Sequence, residues 1–189
     1  MKLSSLLLVL AASAFFGFAS LVADERAGAN PPPVSFPDGF RDWMHVSSAV
    51  LLPNPDAASD HRDEKTVPAP HGLIHNNYAN AKAVEGFRTG HFPEGSVLVV
   101  DWFVVEQAGR RMLQGQRKSV NVMVRDARYA TTGGWGFEDF DQDSHTARNV
   151  GSKAVESCFE CHRHASNHEY VFSELKPQPP PRHTTRIPL

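Results

Sequence analysis

The chain has 189 residues, 41% hydrophobic and 21% charged, with a formal net charge of -2. That length suits one domain once a leader is set aside, and the composition is that of a globular protein. The near-neutral balance excludes a basic field for nucleic acid and an acidic tail, and two cysteines exclude a disulfide framework.

Residues 1–23 read as a signal peptide. Lys2 gives a positive start, the run Leu6-Leu7-Leu8-Val9-Leu10 centres an apolar stretch, and small residues near Ala19 and Ala23 offer cleavage sites. A retained membrane anchor is the alternative, since the stretch nearly reaches spanning length. Cleavage is the expectation, leaving no membrane segment. Residues 24–37, with Pro31-Pro32-Pro33 and Pro37, form a proline-rich arm. The expected folded domain is 38–176, and 177–189, with five prolines, is a loose tail.

Within the domain, Asp38 is placed to cap a short helix over about 39–46, and 46–52 reads as a strand. Residues 53–71 are rich in Pro, Asp, Ala and His and predict a loop. Residues 71–78 suggest a strand ending in a turn. Asn80 caps a helix from Ala81 to about Thr89, closed by Gly90, and Phe92-Pro93-Glu94-Gly95 is a tight turn. The strand 96–106 alternates Val97, Val99, Asp101, Phe103 and Val105 against Leu98, Val100, Trp102 and Val104. Both sets are largely apolar, so this strand is central and covered on both sides. A polar loop holding Gly109 and Gly115 leads to a second strand, 118–126, with Val120, Val122 and Val124 inward. Thr131-Thr132-Gly133-Gly134 is a turn with no phosphate-binding helix behind it. Residues 135–140 suggest another strand, 152–162 a helix, and 169–172 a strand or packing turn. The fold class is α+β: a mostly antiparallel sheet with flanking helices and a C-terminal helix.

That helix carries the chemistry. Cys158-Phe159-Glu160-Cys161-His162 holds both cysteines of the chain, two residues apart, with histidine directly after. This is the attachment pattern of one covalently bound haem c: two thiols for two vinyl groups, and His162 beneath the iron as the metal ligand. A redox dithiol wants a preceding strand and a low-pKa first cysteine. Zinc needs four ligands, assembled here from Cys158, Cys161, His162 and either His164 or His168, with the adjacent Cys161 and His162 poorly disposed for a tetrahedron. A Cys158–Cys161 disulfide closes a strained loop. Haem attachment and an export signal support each other.

No methionine follows His162, unlike the small electron-carrier cytochromes. Helical periodicity is missing from 96–126, which argues against a four-helix cytochrome. His75 and His91 are the histidines to weigh as sixth ligands. Val100, Trp102, Phe103, Trp135 and Phe137 are candidates for the wall facing the cofactor, with ordinary core packing the alternative for each. Asp101 is the candidate catalytic acid or base, or else a buried acid paired with Arg117 or Arg125. Arg88 and Arg163 are candidate partners for propionates, while His164 and His168 suit the cofactor edge or solvent.

The chain resembles the cytochrome P-460 family in Tyr78-Ala79-Asn80, in the run from Arg88 to Val99, in Gly134-Trp135-Gly136-Phe137, and in the late Cys158–His162 motif followed by Tyr170-Val171-Phe172. The resemblance spans about Phe40 to Phe172. It implies an antiparallel sheet with flanking helices, a periplasmic location in a Gram-negative bacterium, a redox-partner cytochrome and a homodimer. The family's crosslinked members join a lysine to the haem and oxidise hydroxylamine. Its c-prime-beta branch lacks the crosslink and binds nitric oxide and carbon monoxide at a five-coordinate iron. The lysine position falls nearest Val100, and no lysine lies in 96–106; Lys65 and Lys82 are outside candidates. The expectation is therefore the uncrosslinked branch, with a small gaseous or nitrogenous ligand.

Overall fold

In the computed structural model, which describes residues 31–53 and 69–176, five strands form one antiparallel meander in chain order. The signal peptide, residues 24–30 of the arm, most of the expected 53–71 loop, and the tail lie outside the described residues, as does Lys65. The strands are β1 (Met44–Leu51), β2 (Leu73–Ala79), β3 (Val97–Ala108), β4 (Arg111–Arg125) and β5 (Trp135–Asp141). The fold is α+β as the sequence implied, with β3 at the centre.

Two faces follow from the alternation of β3, since successive side chains of a strand point to opposite sides. On the front face Leu98 packs with Ala79, Trp135 and Phe137 beneath Val84, Phe92 and Val171. On the back face Val99, Val120, Val122 and Phe140 pack beneath Val34 and Phe40. The proline-rich arm is thus an ordered cover over the described residues 31–37: Tyr129 donates its hydroxyl to the Pro32 carbonyl at 2.6 Å, and Val34 is buried.

The helix α1 (Ala81–Thr89) crosses the front face. Its start and stop were both legible. Asn80 accepts the Ala83 N–H at 2.9 Å, and Gly90 closes the helix in the left-handed region at φ 77°. Two expectations need correction. The helix over 39–46 shrinks to one 3-10 turn, Phe40–Asp42, because Met44 already enters β1. The polar loop before 118 is a strand on each side of a two-residue turn, Gly109-Arg110. Gly109 takes φ +62°, as a tight turn with glycine first requires. The outer part of this hairpin is exposed on both faces, so no buried side imposes an apolar alternation on it.

After β5 the chain runs through a series of short helical turns: Gly151–Lys153, a π-type turn Val155–Phe159, Glu160–His162 and Arg163–His168. Residues 169–172 are the packing turn, not a strand.

Candidate functional site

The helical turns lay Cys158 and Phe159 against the front face, packed on the cluster that includes Trp135, Phe137 and Val171. Cys158 is half-buried, Cys161 is exposed, and neither is in a disulfide. His162 stands between two rings, Phe137 and Phe172, each 5.0 Å away centre to centre. Its Nδ1 lies 2.7 Å from the Tyr170 carbonyl oxygen. A carbonyl can only accept, so Nδ1 carries the proton and Nε2 keeps its lone pair. Burial, opposed by the Tyr170 carbonyl, lowers the pKa of His162 below its ordinary value, which favours the neutral ring that ligates a metal.

The loop after His162 is tied to the rest of the fold by Glu169. Its carboxylate accepts the Phe92 N–H at 2.8 Å and meets His91 Nδ1 at 2.6 Å. Burial alone raises this acid's pKa; the bonds from Phe92 and His91 outweigh it, and the net direction is down.

Of the expected cofactor wall, Val100, Trp102 and Phe137 lie on the front face with His162. Val100 and Trp102 are half-buried although their strand is central. Trp135 shares that face but is fully buried, edge-on to Phe92 at 5.5 Å, with the Arg125 guanidinium 5.6 Å from its ring. It is core. Phe103 is on the back face, flanked by Arg41 and Arg117 at 5.3 Å each, so it leaves the wall.

Asp101 is also on the back face and takes the structural alternative. It is fully buried and receives Arg41 Nε at 3.0 Å and Arg117 Nε at 2.7 Å. Arg125, the other expected partner, donates to the Gly133 carbonyl at 2.6 Å. His91 is committed to Glu169. Arg163 pairs with Glu160 on the surface, Arg88 is exposed at the end of α1, and His164 and His168 are exposed beyond His162. Lys82 reaches the Glu94 carbonyl at 2.7 Å, at the end of the sheet where α1 begins.

Polar groups that no motif of the sequence marks lie beside Val100. Across the strands Val100 is flanked by Asn77 and Asn121, and Asn121 by Asp139. Asn77 donates to Ser47 at 2.9 Å and to Ser173, next to Phe172, at 3.1 Å. His75 Nδ1 is 3.0 Å from Asn77 Oδ1, and its ring lies 4.5 Å from that of Trp102. Burial lowers the pKa of His75 against the opposing bond to Asn77. Asp139 has one buried carboxylate oxygen with no partner among the described residues. Burial raises its pKa; Ser119 and Asn149 oppose that. The same period of two that gave Phe137 a front-face position gives one to Asp139.

A family model described as Cytochrome P460 matches residues 37–173. The chain belongs to the cytochrome P460 family. The family implies a haem cofactor and makes this chain a haem-binding cytochrome. No curated protein matches the chain. The residues present fit such a group. A neutral imidazole with its Nε2 free of hydrogen bonds among the described residues suits iron. Two thiols sit on the same helical turns, and the half-buried Val100 and Trp102 give a flat macrocycle apolar surface on that face.

Proposed function

We propose that this P460-family chain is an exported, mono-haem c-type cytochrome in which Cys158 and Cys161 hold the haem by thioethers and His162 ligates its iron. The observation that carries the reading is the His162 geometry: Nδ1 protonated and spent on the Tyr170 carbonyl, Nε2 left for a metal, on the turn that bears both cysteines. Haem supplies an iron that changes oxidation state and takes a small ligand. The chain's own contribution is to fix the imidazole between Phe137 and Phe172 and to offer Val100 and Trp102 as apolar surface.

The proposed iron is five-coordinate and binds nitric oxide or a similar small ligand, as in the uncrosslinked branch. Support comes from the lack of any lysine in 96–106, the strand where the resemblance puts the crosslinking lysine nearest Val100, and from the absence of any methionine after His162. A periplasmic setting, a partner cytochrome and pairing of two copies belong to the same proposal. A second reading, oxidation of hydroxylamine or removal of nitrogen oxides, is favoured by His75, Asn77 and Asp139. Nitrogen–oxygen chemistry moves protons, and these polar groups share the sheet face with His162.

The absorption spectrum of the purified ferrous protein tests the assignment. We expect a high-spin spectrum that changes on adding nitric oxide. A broad red-shifted band would mean a crosslinked haem and would replace the first reading by the second. Sharp low-spin bands would mean a strong sixth ligand and an electron carrier. Replacing both cysteines, Cys158→Ser with Cys161→Ser, is expected to abolish haem that survives acid–acetone extraction; covalent haem in that variant would overturn the attachment.

A further inference from the structure

The Tyr170 carbonyl that receives the His162 proton belongs to a conformation that its own sequence does not favour. Glu169 has φ 51° and ψ 39°, and Tyr170 has φ 69°. Two consecutive non-glycine residues in the left-handed region are strained, and neither is of the type that tolerates it. Local backbone bonds close the turn: the Glu169 and Tyr170 N–H groups both donate to the Ala165 carbonyl, the latter at 2.8 Å, and the Val171 N–H donates to the His168 carbonyl at 3.1 Å. Side chains distant in sequence add to that hold.

On one side the Glu169 carboxylate reaches the turn between α1 and β3, accepting Phe92 N–H at 2.8 Å and pairing with His91 at 2.6 Å. On the other, the Tyr170 ring lies over Gly133, where a Cβ would come within 2.5 Å of its Cε2 atom. The ring also packs 5.2 Å from Phe159. Carboxylate and ring thus grip the peptide between them, and the carbonyl that follows is aimed at His162.

We infer that Glu169 is a positioning residue for the metal ligand: it pins the Tyr170 carbonyl on His162 Nδ1 and so sets how strongly the imidazole donates to iron. A hydrogen bond from Nδ1 fixes the ring's orientation and raises its basicity as a ligand, the usual work of an outer-shell partner. Glu169 reaches His162 through one backbone carbonyl and touches no ligand itself. The inference rests on the proposed role of His162 as iron ligand.

The test uses the haem-loaded protein and the variants Glu169→Gln and Glu169→Ala. Two quantities are read: the iron–histidine stretching frequency of the ferrous form by resonance Raman, and the midpoint reduction potential. Loosening the carbonyl weakens the imidazole as a donor. Glu169→Ala is therefore expected to lower the stretching frequency and raise the potential, with Glu169→Gln in between because its amide oxygen still accepts the Phe92 N–H. Both values unchanged, with only the melting temperature lowered, would overturn the inference and leave Glu169 a plain structural clamp. Should Glu169→Ala not fold, Glu169→Gln and Gly133→Ala, which disturbs the Tyr170 ring from the other side, carry the same test. A wild type with no iron–histidine band overturns the functional reading, and the inference with it; a normal wild-type band with silent variants overturns the inference alone.

Discussion

Asp101 illustrates how one residue is settled by its partners. Its carboxylate is shared by two arginines of unequal burial: the Arg41 side chain is 51% exposed and that of Arg117 16%. Removing the acid leaves the Arg117 guanidinium largely buried with only the exposed Asp143 to answer it. Breaking one partner out of a buried pair costs about 3 kcal/mol. Asp101→Ala is therefore expected to lower stability by roughly that amount in urea denaturation, while leaving the ferrous spectrum and its response to nitric oxide as in the wild type. A changed spectrum at unchanged stability would return Asp101 to the list of chemical residues. The sequence showed that this acid was unusual among valines; it did not show which face the cofactor segment would cover. Alternation sorts Phe103 from Trp102, yet nothing in β3 itself says which set meets residues 155–172. That decision lies in the connection after β5. Tyr170 was illegible for another reason: its contribution is a backbone carbonyl, which any residue type could supply.

Elements with local signals were read well. Asn80 and Gly90 bracket α1 because capping is chemistry of single residues at fixed offsets. The structure gives Asn80 more to do than cap. Its Oδ1 also accepts the Val97 N–H at 3.1 Å, and its Nδ2 donates to the Gly95 carbonyl at 2.9 Å. One side chain thus ties the start of α1 to the turn that opens β3. An ordinary cap is worth about 1 kcal/mol, and each further buried bond about 1 kcal/mol. Asn80→Ala is expected to cost about 3 kcal/mol, with the denaturation slope m unchanged. Asn80→Asp should recover the part that depends on Oδ1. The antiparallel pairing of β3 and β4 was legible; the outer part of the hairpin, expected as a loop, escaped the sequence for lack of a buried side. Gly115, which suggested a loop, is a strand residue whose missing side chain leaves room for Glu106, whose Oε1 would lie 2.3 Å from a Cβ there.

At the scale of the whole molecule the buried titratable groups pull stability in opposite directions as pH changes. His75 has its pKa lowered from 6.5, by burial against the Asn77 bond. The unfolded chain therefore binds its proton first, and stability falls as pH drops below 6.5. Glu169 has its pKa lowered from 4.5, where burial is outweighed by the Phe92 and His91 bonds. Its contribution is complete above 4.5 and is lost as pH falls through the lower, folded value. Asp139 runs the other way. Burial raises its pKa from 3.8, so the folded state binds the proton first and the ionised acid works against folding at neutral pH. Relief comes as pH falls from the raised folded value toward 3.8. Asp139→Asn removes the charge and keeps the shape, so it is expected to be more stable than wild type at pH 7, measured as the urea midpoint. The gap should narrow across that window and vanish once pH is below 3.8, where both folded and unfolded wild type are protonated. A gap of constant size at all pH values would show that charge is not what the site opposes. A variant less stable at pH 7 would show that the ionised carboxylate has a counter-charge in the haem-loaded protein. Asp139 lies directly across from Asn121 on the front face, and the sign of this one measurement separates a tolerated burial from a retained chemical group.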